Sequence, residues 1–168
     1  GTKCCGQFRN GKIVVGTKTF PNGGMYVGSF EDGKMSHRGE YTWPSGEKYI
    51  GEFKNGRMNG KGCKKWPDGT EFIGQFIDGK ISGLGAAKLS DGSRYTGYFR
   101  NDKISGIGTK VWPDGQNFFG TFVNNDMTFG DIKWPNGSRY IGIFENNLCS
   151  GKGEYSWSGG EQMTTLRG

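Results

Sequence analysis

One histidine, His37, and four cysteines, Cys4, Cys5, Cys63 and Cys149, with no Cys-x-x-Cys spacing between them, leave a zinc site without a usual ligand set. No metal and no cofactor is expected. Adjacent cysteines on a strand point to opposite faces, so Cys4 and Cys5 make a poor disulfide, and four free thiols in a reducing compartment are the natural reading. No apolar run approaches the ~18 residues of a membrane-spanning helix, and no signal peptide is evident. Only 32% of the 168 residues are hydrophobic, too few to fill a deep globular interior. Enzyme motifs are missing as well: there is no Gly-x-Ser-x-Gly elbow, no Walker loop and no His-Glu-x-x-His, which points to a non-catalytic protein.

What the chain has is glycine, 33 residues of it, together with 14% aromatics. The aromatics exclude a disordered tail, and no Gly-X-Y triplet supports collagen. Both are used periodically. Tyr26-Val27-Gly28-Ser29-Phe30 recurs as Tyr49-Ile50-Gly51-Glu52-Phe53, Phe72-Ile73-Gly74-Gln75-Phe76, Tyr95-Thr96-Gly97-Tyr98-Phe99, Phe118-Phe119-Gly120-Thr121-Phe122 and Tyr140-Ile141-Gly142-Ile143-Phe144, after a degenerate Cys4-Cys5-Gly6-Gln7-Phe8. The central glycines are spaced by 22 or 23 residues throughout. Such a period signals a repeat architecture.

Each unit carries two turns. Asn10-Gly11, Asp32-Gly33, Asn55-Gly56, Asp78-Gly79, Asn101-Asp102, Asn124-Asn125 and Asn146-Asn147 suit the positive φ of a type I′ hairpin. Trp43-Pro44-Ser45-Gly46 and its equivalents at Trp66, Trp112 and Trp134 link one hairpin to the next, proline presetting φ and glycine closing the turn. Between them Gly60-Lys61-Gly62, Gly83-Leu84-Gly85, Gly106-Ile107-Gly108 and Gly151-Lys152-Gly153 place glycine inside a strand. They recur once per unit and open no helix, so they belong to the scaffold rather than to a nucleotide site. Alternation puts Tyr49, Gly51 and Phe53 on one face, where a ring laid across the glycine would shield its backbone. Asp68, Asp91 and Asp114 sit in equivalent turns and read as turn residues, not as an acid/base pair, and His37 reads as a surface substitution in a loop. No helical rhythm survives the glycines and prolines, the last eight residues excepted.

Tyr-x-Gly-x-Phe, Asn/Asp-Gly, Gly-x-Gly and Trp-Pro-x-Gly in fixed order resemble the MORN (membrane occupation and recognition nexus) repeat over residues 4 to about 160. The rival choline-binding repeat uses Gly-Trp pairs and lacks Trp-Pro-Asp-Gly. The resemblance implies an all-β fold: an elongated, single-layer antiparallel sheet of tandem hairpins, solenoid-like, with one grooved face. Residues 1–168 then form a single array of about seven repeats, 4–25, 26–48, 49–71, 72–94, 95–117, 118–139 and 140–162, with a tail at 163–168. Departures fall at Cys4, at His37 and Phe129 near the first glycine of Gly-x-Gly, at Leu89-Ser90 for Trp-Pro, and at Trp157-Ser158-Gly159-Gly160 with Met163 and Thr165, which look like a cap or a cut edge.

The resemblance also implies an adaptor for cytoskeletal, myosin-tail or ciliary proteins. An extended sheet suits a long protein segment better than a small ligand. The expected contacts are ring edges of Tyr49, Phe72, Tyr95, Phe118 and Tyr140 along the grooved face, with Arg94 and Lys110 at its rim. Residues 48–110 hold twelve Lys/Arg against six Asp/Glu while the rest is balanced, so all of the net charge of +6 lies there. The alternative function is therefore a peripheral membrane module meeting acidic phospholipids through Lys54, Arg57, Lys61, Lys64, Lys65, Lys80, Arg100 and Lys103. Nucleic acid is disfavoured because the aromatics are committed to packing. A homodimer through terminal repeats is a further expectation, since an open sheet has two edges. The localisation that follows is cytoplasmic, with cytoskeletal or membrane association.

Overall fold

The computed structural model describes residues 1–157 and, as backbone, residues 164–166. Within them there is no helix, and the strands lie in the sheet in chain order. They are β1 (Lys3–Arg9), β2 (Lys12–Thr19), β3 (Met25–Glu31), β4 (Lys34–Thr42), β5 (Lys48–Lys54), β6 (Arg57–Lys65), β7 (Glu71–Ile77) and β8 (Lys80–Lys88). Then follow β9 (Arg94–Arg100), β10 (Lys103–Val111), β11 (Asn117–Val123), β12 (Asp126–Lys133), β13 (Arg139–Glu145), β14 (Leu148–Ser156) and β15 (Thr164–Leu166). The chain packs as two compact units, residues 1–83 and 84–168, dividing within β8. The last eight residues, the one place left open to a helix, contribute the strand β15; the rest of that tail, with Ser158-Gly159-Gly160 and Met163, lies outside the described residues.

Both turn types form as their chemistry requires. Asn55 and Gly56 take φ of 51° and 81°, and the non-glycine pairs Asn124-Asn125 and Asn146-Asn147 take 52° and 81°, 51° and 62°, the double positive φ of type I′. In the linking turn Gly46 N–H donates to the Trp43 carbonyl at 3.0 Å and Trp43 N–H to Glu47 at 2.9 Å. Phe20 and Leu89 stand in for tryptophan with the same bonds. Asp68, Asp91 and Asp114 each accept the N–H two residues on, at 2.8–2.9 Å, which accounts for the carboxylate in these three turns.

The 22-residue and 23-residue spacings have a structural cause. In β3–β4, Gly28 faces Gly39 and Ser29 faces Ser36, so His37 and Arg38 are extra; in β13–β14 the extra residues are Gly151 and Lys152. In β1–β2 and in β11–β12 only Val14 or Thr128 is extra, and these are the two 22-residue repeats. The wider bulge needs a positive φ, supplied by Gly60 at 96°, Gly106 at 100° and Gly151 at 62°. His37 holds that position at 56° inside β4, so it is a bulge residue and not a loop substitution. Phe129 falls at the middle position of Gly-x-Gly, opposite Thr121, and the missing residue is the bulge glycine itself.

One face of each unit is paved with rings. In the first unit Tyr26 meets Phe30 and Phe53, Tyr49 meets Phe53 and Phe76, and Phe72 meets Phe76, edge to face with centroids 4.8–5.3 Å apart. In the second, Tyr95 meets Phe99 and Phe122, Phe118 meets Phe122 and Phe144, and Tyr140 meets Phe144, at 5.1–5.3 Å. Tyr26, Tyr49, Tyr95 and Phe118 thus each lie between the phenylalanine of their own repeat and that of the next, an arrangement favoured by ring quadrupoles. Tyr26, Tyr49, Tyr95, Phe118 and Tyr140 also each lie over two facing glycines: a Cβ on Gly51 or Gly62 would be driven into the Tyr49 ring. Where Cys4 replaces the ring, β1 is exposed along its whole length and Phe8 is 56% accessible.

Candidate functional site

Alternation divides every strand between this ring face and an open face. The five expected contact residues, Tyr49, Phe72, Tyr95, Phe118 and Tyr140, are on the ring face and at most 1% exposed. Tyr49 Oη donates to the Glu52 carbonyl at 2.9 Å, Tyr95 Oη to Tyr98 at 3.1 Å, and Tyr140 Oη to Ile143 and Ser150 at 3.1 and 3.0 Å. Burial pushes the Tyr26 and Tyr95 phenols up to about 12, and those of Tyr49 and Tyr140 up as well. No ring edge is left for a partner. Arg94 faces Val111 and Lys110 faces Tyr95, so these two residues lie on opposite faces and form no common rim.

The ring face carries cations that the sequence reading gave to lipid or partner. Lys64 lies between two indoles, 4.8 Å from the Trp43 ring and 4.7 Å from that of Trp66, and pairs with Glu47 at 3.1 Å. Lys110 lies 4.8 Å over Trp112. The Lys64 contacts tie one linking turn to the next. Spacing alone hides them, because strand pairing brings Lys64 onto a Trp two residues ahead and another twenty-one behind. Lys64 is therefore a structural residue, separate from the other basic candidates.

Those others are on open faces. In the first unit Lys54, Arg57, Lys61 and Lys80 are exposed there, while Lys65 pairs with Glu71 at 3.0 Å and Lys48 with Glu40 at 2.7 Å. Beside them runs a row across the strands, Val27, Glu40, Ile50, Cys63 and Ile73, register-matched from β3 to β7. Val27, Ile50 and Ile73 are 43%, 46% and 61% exposed. The neighbouring row is polar: Arg38 faces Glu52 and Lys61 faces Gln75. In the second unit Arg100 and Lys103 are exposed at the hairpin end of the open face, where the neighbouring row is apolar: Ile107, Thr121, Phe129 and Ile143 face one another in turn. Nothing in a 23-residue consensus announces this row, because its positions differ from repeat to repeat.

Among the described residues, two shallow depressions bear on the candidate surfaces. One of about 580 Å³ in the first unit is lined by Ser36, His37, Arg38, Glu52 and Asn59, and one of about 340 Å³ in the second by Lys110, Trp112, Asn125 and Asn147. The second shows a device the sequence reading missed. Asn125 and Asn147, read as turn residues only, reach across with Oδ1 to accept the N–H of Ile104 and Met127, both at 2.8 Å, clamping each hairpin turn to the repeat before it. No group of three or more His, Cys, Asp or Glu able to hold a metal ion occurs among the described residues. Cys63 and Cys149 are free thiols with pKa raised by burial.

A family model for the MORN repeat matches residues 4–25, 26–48, 49–71, 72–94, 95–117 and 140–162. Residues 118–139, where the bulge glycine is missing, lie outside those segments. No curated protein matches the chain by sequence. Among solved structures, the TCP domain of SAS-4 (dCPAP) from Drosophila melanogaster, in complex with a proline-rich motif of Ana2 (dSTIL), is similar with a TM-score of 0.54 at 12% identity, over 90% of this chain and 84% of that one. The CPAP G-box domain gives a TM-score of 0.47 at 16% identity over 89% and 79% of the two chains. The wild-type TCP10 domain of Danio rerio CPAP gives 0.30 at 18% over 100% and 96%. The first of these bears on the fold; the other two are too distant to carry an argument.

Proposed function

The chain belongs to the MORN repeat family, and from that premise we propose that it is a non-catalytic scaffold holding a protein segment on the open face of its first unit. The observation that carries this is the exposed row of Val27, Ile50 and Ile73, flanked by the cations Lys54, Arg57, Lys61 and Lys80. Exposed apolar side chains rimmed by charge are the usual signature of a protein contact. The occupant that fits is an extended or helical segment with apolar residues between acidic ones. The ladder rings act behind that surface: they fix the twist and spacing of the strands that present the row. That the fold is one in which a Drosophila domain takes a proline-rich motif supports a peptide-sized partner. The family resemblance points such a partner toward cytoskeletal or membrane-associated complexes.

The test is a photo-crosslinker placed at Ile73 on the open face or at Trp66 on the ring face, followed by selection of displayed peptides. Capture of acidic, apolar-centred peptides from Ile73 and not from Trp66, lost in Val27→Asp with Ile50→Asp, is the expected result. Capture from Trp66 alone would overturn the assignment. Flotation with phosphatidylserine vesicles, abolished above ~0.3 M salt by screening and without peptide capture, would replace the protein partner with an anionic membrane acting on the same cations.

A further inference from the structure

The open face of the second unit carries a different surface, and it is self-complementary. Ile107, Phe129 and Ile143 are 55%, 55% and 43% exposed, and Tyr98 beside Ile107 is 49% exposed. Thr121 of β11 lies at the centre of the row, between Ile107 and Phe129. Toward the hairpin ends the same five strands carry Arg100 on β9 and Lys103 on β10, then Val123 on β11, then Asp126 on β12 and Glu145 on β13. Arg100 and Lys103 lie on one side of β11 and Asp126 and Glu145 on the other, with Asp102 in the turn between the two cations.

We propose that this face binds a second copy of the chain, sheet against sheet, about a two-fold axis running along β11. That operation exchanges β10 with β12 and β9 with β13. It sets Ile107 on the partner's Phe129 and the partner's Ile107 on Phe129, Tyr98 with Ile143, Lys103 with Asp126 and Arg100 with Glu145, each twice. Thr121 and Val123 lie on the axis and meet their own counterparts. Strands tilted about 15° to the axis cross their symmetry mates at the roughly 30° of aligned sheet packing. Arg94 and Arg139 meet at the far rim, and there the Arg139 guanidinium is already bound to Asp131 at 2.8 and 2.6 Å. Five strands of seven residues cover about 24 by 23 Å, so two copies bury on the order of 1,100 Å², just above what a specific interface needs. An isologous contact of this kind closes on itself and does not propagate. It differs from pairing through the sheet edges, which uses no side-chain row.

The first unit offers no equivalent: its polar row, with Arg38 facing Glu52 and Lys61 facing Gln75, does not separate its cations from its carboxylate and has no apolar centre. The inference is independent of the segment-binding surface proposed for that unit.

Sedimentation velocity of the whole chain, up to the roughly 100 µM at which interfaces of this modest size still associate, should show a concentration-dependent dimer. Phe129→Arg should give a monomer with unchanged circular dichroism. The decisive arm is charge exchange. Arg100→Glu with Lys103→Glu, and separately Asp126→Lys with Glu145→Lys, should each weaken self-association at least tenfold, and an equimolar mixture of the two should dimerise again. A native chain that stays monomeric, a dimer that persists in Phe129→Arg, or reversed variants that do not recover on mixing would each overturn the proposal.

Discussion

Arg38, Glu52, Lys61 and Gln75 in the first unit and Tyr98, Ile107, Thr121, Phe129 and Ile143 in the second occupy the same row of the repeat, yet one set is charged and polar and the other largely apolar. On the opposite face of the same strands the two units agree closely. Tyr49 between Phe53 and Phe76 in one matches Tyr95 between Phe99 and Phe122 in the other, with centroid distances within a few tenths of an ångström. The difference separates positions that hold the sheet from positions left free. A side chain over the glycines must be a flat ring, whereas one on the open face meets solvent, its neighbours on that face and whatever docks there. Where the units diverge is therefore where the two proposed contact surfaces lie.

The largest test of that division is ring removal in each unit. Tyr49→Ala and Tyr95→Ala should each cost about 3–5 kcal/mol in chemical denaturation, since a fully buried ring is lost. Equal losses uphold the equivalence of the ring faces; a loss below ~1 kcal/mol at either site would show that ladder to be dispensable. The same faces should fail together in alkali. Folded phenol pKa values of about 12 for Tyr26 and Tyr95 lie above the ~10 of an unfolded chain. The stability these groups contribute is complete below pH 10 and is lost as pH rises from about 10 to 12. A circular dichroism titration that stays flat through pH 12 would contradict their burial.

Glycine substitution comes next. Gly62→Ala and Gly108→Ala push a methyl into the rings of Tyr49 and Tyr95, a cost of about 1–3 kcal/mol that thermal melts should register in both units alike. Asn147→Gly keeps the hairpin turn but leaves the Met127 N–H without its acceptor, at about 1–2 kcal/mol. The smallest effect is at the bulge. His37→Gly relieves a β4 residue at positive φ and should stabilise by up to about 1 kcal/mol; a destabilisation of that size would mean that the contact of His37 Nδ1 with Ser36 Oγ, at 3.2 Å, matters more than the strain.

Most of the fold was legible because its determinants are local and periodic. Asn-Gly and Trp-Pro-x-Gly fix turns by backbone preference alone, and Tyr-x-Gly-x-Phe fixes which face carries rings. Legibility ended wherever a property depended on which residues become neighbours across strands. The sequence suggested that Tyr49 or Phe118 could show an edge to a partner, but only packing against the phenylalanine of the following repeat removes that edge from solvent. Arg94 and Lys110 looked like one rim; register put them on opposite faces. Lys64 looked like one more surface cation, and two indoles brought over it by pairing made it structural. By itself the sequence determined the hairpins, their period and the ring face, because turns and alternation are set within a few residues. Only the tertiary structure decided which side chains remain available to a partner, because exposure depends on contacts some twenty residues apart along the chain.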